Sequence, residues 1–294
     1  MSFLKALFGS KEENPEKKEK EEAAKKFNIL KYDGVKALGM GQFEYAIRCF
    51  EAALGIQEDL EIRDYLSRAL MNSNELEGAF QQLQKLADVQ PDNQDILIRM
   101  AHVAYMQEDY STMAETCRKV IDLNHEAQTD NQQGNGSLPL SCYLYAKAFL
   151  GMDETVKAID MLTQAIEKDE TYGDAYLLRG ETLLALDDIE RAEKDAEWLM
   201  EHTTDNEDVL MLKARIENAK DNDREALILL DEVIDLNPFN TNALQQRSEI
   251  KEKNGDITGA ENDRQRIQEI NPATESEDLE KKMNDVYKSA NPLA

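Results

Sequence analysis

Glycine and proline are scarce. With 13 glycines and 6 prolines in 294 residues, the chain lacks the punctuation a turn-rich β fold needs, which points to long helices. Tryptophan occurs once and aromatics make up 6%, so the core is expected to be thin and mainly aliphatic. Bases are outnumbered, 34 Lys and Arg against 60 Asp and Glu, for a formal charge of -26. A surface of that sign repels phosphate, which disfavours nucleic acid and anionic lipid as partners. Basic or apolar protein segments remain compatible.

Cysteine is limited to Cys49, Cys117 and Cys142, with no metal-like spacing and each inside a helical pattern. They read as buried free thiols, with a Cys117–Cys142 contact across neighbouring helices as the alternative. That usage fits a reducing compartment. No apolar run reaches the roughly 18 residues that a membrane-spanning helix needs, so no integral membrane association is expected. The opening MSFLKALFGS breaks its short apolar run at Lys5 and leads into charge, unlike a secretory signal. The expected location is cytoplasmic.

Chemistry-bearing constellations are missing too. His102, His125 and His202 lie far apart in the chain, and no His or Cys sits one helical turn from another, so no metal site is expected. The stretch Asp221-Asn222-Asp223-Arg224-Glu225 resembles the start of a calcium loop, but its sixth position is Ala226 where glycine is required. No phosphate-cradling loop, nucleophile elbow or dinucleotide fingerprint occurs. The chain is therefore read as non-enzymatic, with no cofactor.

What the sequence does hold is a period. One column reads Gly34, Ser67, Ala101, Ala146, Gly180, Ala214, Ser248; a second, twelve residues on, reads Ala46, Ala79, Met113, Ala158, Ala192, Ala226, Ala260. The step is 34 residues or within one of it, except from Ala101 to Ala146, where it is longer by 11. Small residues recur in this way where two helices cross, because only Gly, Ala or Ser lets backbones approach to about 8–10 Å. Turn-forming residues separate the columns at Met40-Gly41-Gln42, Gln107-Glu108-Asp109, Asp187-Asp188, Asp221-Asn222 and Asn254-Gly255-Asp256. Pro91, Pro238 and Pro272 then mark where one copy ends and the next opens.

These spacings identify the chain as resembling the tetratricopeptide-repeat proteins, over residues 27–274 and seven copies. The resemblance implies an all-α fold, an α-α superhelix or solenoid of helix-turn-helix repeats, each with a helix A and a helix B. Met113 in a small-residue column, and Asp223 where Phe43, Tyr110, Ile189 and Ile257 are apolar, predict locally looser packing. The longer step predicts an inserted loop near 128–138, polar and glycine-bearing, either a mobile connection or a contact loop at a groove mouth.

The ends depart from the period. Thr274 and Glu277 form a capping box ahead of the apolar stripe Leu279, Met283, Val286, Tyr287, predicting a capping helix over 275–294 that covers the last core face. Residues 1–26 form an N-terminal tail whose Phe3, Leu4, Leu7 and Phe8 share one helical face. Burying those four side chains would be worth about 6–12 kcal/mol before ordering costs. A disordered tail, a fold-back onto the repeats and a membrane or partner contact all remain open.

In the family the A helices line the concave face. The resemblance then places Arg68, His102, Lys147 and Arg215 in a groove, with Ile98, Tyr105, Tyr143, Leu177, Leu184 and Met211 as its semi-apolar lining. Two readings compete. Either the bases are answered locally, as Asp64 to Arg68 at i,i+4 suggests, or they meet a peptide with apolar anchors and acidic groups. Some relatives grip a C-terminal carboxylate with paired Lys and Asn; here Lys31 is followed by Val35, and Tyr65 stands where Asn is wanted, so that clamp is not expected. The function read from the sequence is a protein or peptide interaction scaffold. The alternative is an oligomeric or membrane-adjacent assembly factor using the N-terminal segment, and homo-oligomerisation stays open.

Overall fold

A computed structural model describes residues 15–129, 137–203 and 206–272. Over these residues the chain forms fourteen helices and no strand. It divides into two compact units, residues 1–168 and 169–294. The first unit holds α1 (Pro15–Gly39), α2 (Phe43–Leu54), α3 (Leu60–Asn72), α4 (Leu76–Val89), α5 (Gln94–Met106), α6 (Tyr110–Thr129), α7 (Leu138–Gly151) and α8 (Thr155–Lys168). The second holds α9 (Gly173–Ala185), α10 (Ile189–His202), α11 (Glu207–Ala219), α12 (Asp223–Leu236), α13 (Thr241–Lys253) and α14 (Ile257–Ile270). Odd-numbered helices are the A helices and even-numbered ones the B helices. Each A helix packs on its own B helix, and within the units α1 also touches α3, α5 touches α7, and α9 touches α11.

The small-residue columns lie at the crossings. Ser67, Ala101, Ala146, Ala214 and Ser248 are buried, as are Gly34 and Gly180, and every member of the second column is fully enclosed. Around them the first unit builds its core from Phe50, Ile62, Leu83 and Val103, with a further cluster at Met113, Cys117 and Leu144. The second unit uses Leu230, Val233 and Leu244. The looser packing predicted at Met113 is not found, because its flexible thioether fills the space with no exposed surface. Nor is it found at Asp223, whose carboxylate accepts from Lys253 Nζ at 2.9 Å and is largely enclosed.

Seven residues after each member of the first column, the chain turns back through one residue in the left-handed region. These are Gly41, Asn74, Glu108, Asp153, Asp187, Asp221 and Gly255, with φ between 58° and 84°. In each, the following amide bonds back to a carbonyl five residues earlier, as from Asp109 N to Ala104 O at 2.9 Å, which is the Schellman closure of a helix. Glycine is free there, and Asn and Asp tolerate it; Glu108 is the one residue that does not belong to that set. Glu108→Gly should raise stability by about 0.5–1 kcal/mol, strain relief outweighing the added freedom of the unfolded chain. An unchanged or lower urea midpoint would contradict this.

Four of the A helices, α3, α5, α11 and α13, begin at side-chain caps. Asp59 accepts from Ile62 N at 2.9 Å, Asn206 from Val209 N at 3.3 Å and Asn240 from Ala243 N at 2.9 Å, each answering an amide with no partner in its own helix. Helix α1 starts at Pro15, well ahead of the first repeat, yet residues 16–26 are all exposed and packing begins at Phe27. The loop placed at 128–138 is shorter than that range, since α6 runs on to Thr129 and α7 starts at Leu138. Its middle, the Phe3–Phe8 face and the 275–294 helix lie outside the described residues.

The three cysteines are free and buried. Burial, and to a lesser degree the neighbouring Cys142, pushes the Cys117 thiol up to about 12, and burial pushes Cys142 up to about 11. Cys117 and Cys142 are therefore packing residues with little thiolate at neutral pH.

Candidate functional site on the A helices

The first unit carries a cleft of about 900 Å³ across its A helices. Helix α3 supplies Leu60, Asp64 and Arg68; α5 supplies Ile98, Arg99 and His102; Ser137 and Leu140 come from the start of α7. Of the residues predicted from sequence, Arg68, Ile98 and His102 therefore share one concavity. Asp64 and Arg99 belong with them; the signal for Asp64 was its i,i+4 spacing to Arg68, and Arg99 was not singled out. Ser137 and Leu140 had no signal, since they follow the irregular insertion.

The charges in this cleft are mostly answered. Asp64 accepts from Arg68 at 2.8 Å and also pairs with Arg99 of the next A helix. Lys31 bonds Glu61 at 2.6 Å and lies 3.7 Å from Asp59, so it is not available as half of a carboxylate grip. Lys147, which with Tyr105 and Tyr143 is not among the residues lining the cleft, is the contrast. Its ammonium sits 4.0 Å from the Tyr105 ring centroid and 5.8 Å from that of Tyr143, and no carboxylate among the described residues lies within ion-pairing distance of it. Tyr105 is 37% exposed, while Tyr143 and Lys147 are half-buried. Burial, reinforced by the Lys147 charge, holds the His102 imidazole below the usual histidine range, so it is neutral at neutral pH.

In the second unit, Arg215 is answered by Glu181 at 2.5 Å, and Leu177 and Leu184 are half-buried. Met211 is not a lining residue: it is 6% exposed and belongs to the core. Its counterparts at the same repeat position, Ile98, Tyr143 and Leu177, are half-buried, so position alone did not mark Met211 as core. Among the described residues no group of three or more His, Cys, Asp or Glu side chains is gathered as a metal site. No described helix is long and apolar enough to cross a membrane.

Comparison with known proteins places these features in a family. Residues 149–216 match the tetratricopeptide repeat family model. Among solved structures, PilF of Pseudomonas aeruginosa is 14% identical with a TM-score of 0.57, covering 77% of this chain and 99% of its own. YrrB, described as a tetratricopeptide protein with an unusual peptide-binding site, is 20% identical with a TM-score of 0.50, covering 67% and 97%. MamA from residue 41 onward, of Desulfovibrio magneticus RS-1, is 12% identical with a TM-score of 0.52, covering 63% and 98%. No curated protein matches the chain. Identities this low speak to fold alone: residues 149–216 carry the tetratricopeptide repeat, and the described chain has the all-α repeat fold of these neighbours, in agreement with the repeat columns.

Proposed function

We propose that this protein is a non-enzymatic scaffold that binds a peptide segment of a partner along the A-helix face of its first unit. The observation that supports this most is the cleft across α3, α5 and α7, with an apolar floor at Leu60, Ile98 and Leu140 and polar groups at its rim. A concavity of that size lined mainly by apolar groups with a few placed charges suits a peptide with side-chain anchors. The fold is shared with YrrB, whose description names a peptide-binding site. Tetratricopeptide modules are interaction modules in general, and nothing in the cleft resembles an activated nucleophile beside a base.

The test is a selection from a displayed random-peptide library against the full chain, followed by photo-cross-linking. A benzophenone amino acid placed at Arg68, whose side chain is 53% exposed, should cross-link the selected peptides. The same label at Lys119, exposed on the B helix α6, should not. Labelling from Lys119 alone, or equally from both, would move the site off this face.

A further inference from the structure

Resting on that peptide-binding reading, we infer that the corner formed by His102 of α5 and Lys147 of α7 receives a side-chain carboxylate of the bound segment. The geometry carries this. In a chain of formal charge -26, a half-buried lysine without a carboxylate among the described residues is unusual. Two tyrosine faces hold Lys147 in place, and a ring face attracts the ammonium while leaving hydrogens free to donate. A carboxylate placed there gains charge-assisted hydrogen bonds, which are about twice as strong as neutral ones.

The charge that favours an anion at this corner is Lys147 itself. On α3, Asp64 is shared between Arg68 and Arg99, and Glu61, which also lines the cleft, is bonded to Lys31. On α5, Asp95 opposes, but it lies about 10 Å from His102 along the helix. From α4 the cleft takes Leu86, with Gln90 at that helix's end, and from α6 it takes no residue. The charged group acting on His102 is Lys147.

Proton linkage follows. In the free protein, burial and the adjacent ammonium keep His102 neutral. A carboxylate in the corner favours the imidazolium and raises the histidine in the complex. Binding of an acidic segment then takes up a proton, and affinity rises as pH falls through the range of the bound histidine.

Peptides from the selection above test this, each made with glutamate and with glutamine at its acidic position. The wild-type chain should prefer the glutamate form by about tenfold, and the preference should widen on moving from about pH 8 to pH 6. Lys147→Met should erase the preference while the glutamine form binds as before, and Lys147→Arg should restore it. A role for Lys147 in packing alone would instead weaken both forms equally. In NMR titrations the His102 ring proton should report a higher midpoint with the glutamate peptide bound. Equal binding of the two forms to wild type, or an unchanged preference in Lys147→Met, overturns the carboxylate site while cross-linking from Arg68 leaves the peptide reading standing. Absence of any Arg68-cross-linked peptide overturns both.

Discussion

Asp263→Ala is expected to release α14 from the second unit at a cost of about 3–5 kcal/mol, the usual penalty for stranding buried charge. Asp263 is 5% exposed and accepts from Arg247 Nε at 2.9 Å and Lys251 Nζ at 2.8 Å, both on α13. Among the described residues of α14, Ala260 and Asp263 are the buried ones, with Ile267 and Ile270 only partly covered. The carboxylate is thus a principal tie between α14 and its neighbour. Without it Arg247, 14% exposed, keeps its bond to Asp231 at 2.7 Å but loses its enclosed partner. Repeat proteins lose terminal helices independently of their interior. Hydrogen exchange should therefore show α14 unprotected while α11 and α12 keep their protection; an α14 as protected as in wild type would refute this. Pairing Asp263→Leu with Arg247→Met should recover part of the loss, since it removes the more enclosed of the two cations and leaves only Lys251, 22% exposed, without its partner.

The same residue sets an acid limit. Burial alone would raise the Asp263 carboxyl, but hydrogen bonds from Arg247 and Lys251 outweigh it and hold the group below the usual carboxylate range. A depressed folded value means the stabilisation is complete above the unfolded value, about 3.9, and is lost as pH falls through the folded one. Protection of α14 should fade below about pH 4, and Asp263→Asn should remove this group's share of that dependence.

What the sequence disclosed and what it hid follow from how each feature is enforced. Close backbone approach demands a small residue at a fixed spacing, so the columns from Gly34 to Ser248 and from Ala46 to Ala260 were readable without coordinates. Reversal through the left-handed region is enforced by the backbone as well, and it recurs at one offset even where the residue is Glu108. Side-chain pairing has no such register. The Arg247–Asp263 bond and its counterpart Arg179–Asp195 at 2.6 Å join a residue before one column to a residue three past the other. Those aspartates share the helix face of the small column, three residues on, and nothing in the spacing says which base answers them. Arg215 is quenched because Glu181 stands one repeat before it, whereas the residue one repeat before Lys147 is His102, which offers no charge. The two bases looked alike in the sequence and differ only in their neighbours. Helix α1 extends to Pro15 because its Lys, Glu and Ala residues are strong helix formers, and a search for buried periodicity does not register the stretch 16–26, which is exposed throughout.

Gly34→Ala and Gly180→Ala occupy the same column and should behave differently. Alanine gains about 1 kcal/mol of helix propensity over glycine at either place. At Gly34 the new methyl carbon would stand 2.5 Å from Phe50 Cε1 and 2.8 Å from Cδ1. Phe50 is fully buried and stacked on Tyr65 with centroids 5.7 Å apart, so its ring has nowhere to go. Overpacking of that kind costs about 1–3 kcal/mol, at times more, and with a contact this short the upper end applies, for a net loss of about 2 kcal/mol. At Gly180 the nearest atom is Leu212 Cδ2 at 2.9 Å, the end of a rotatable side chain, followed by Asp195 Cβ at 3.4 Å. A small rotation of that leucine offsets the contact against the propensity gain, leaving a change within about 1 kcal/mol. Trp198 is the single tryptophan and lies in the second unit, so its fluorescence during urea unfolding reads Gly180→Ala directly. Hydrogen exchange of α1 and α2 reads Gly34→Ala. Equal effects at the two positions would mean that the column selects small residues for a reason other than the rigidity of what they face.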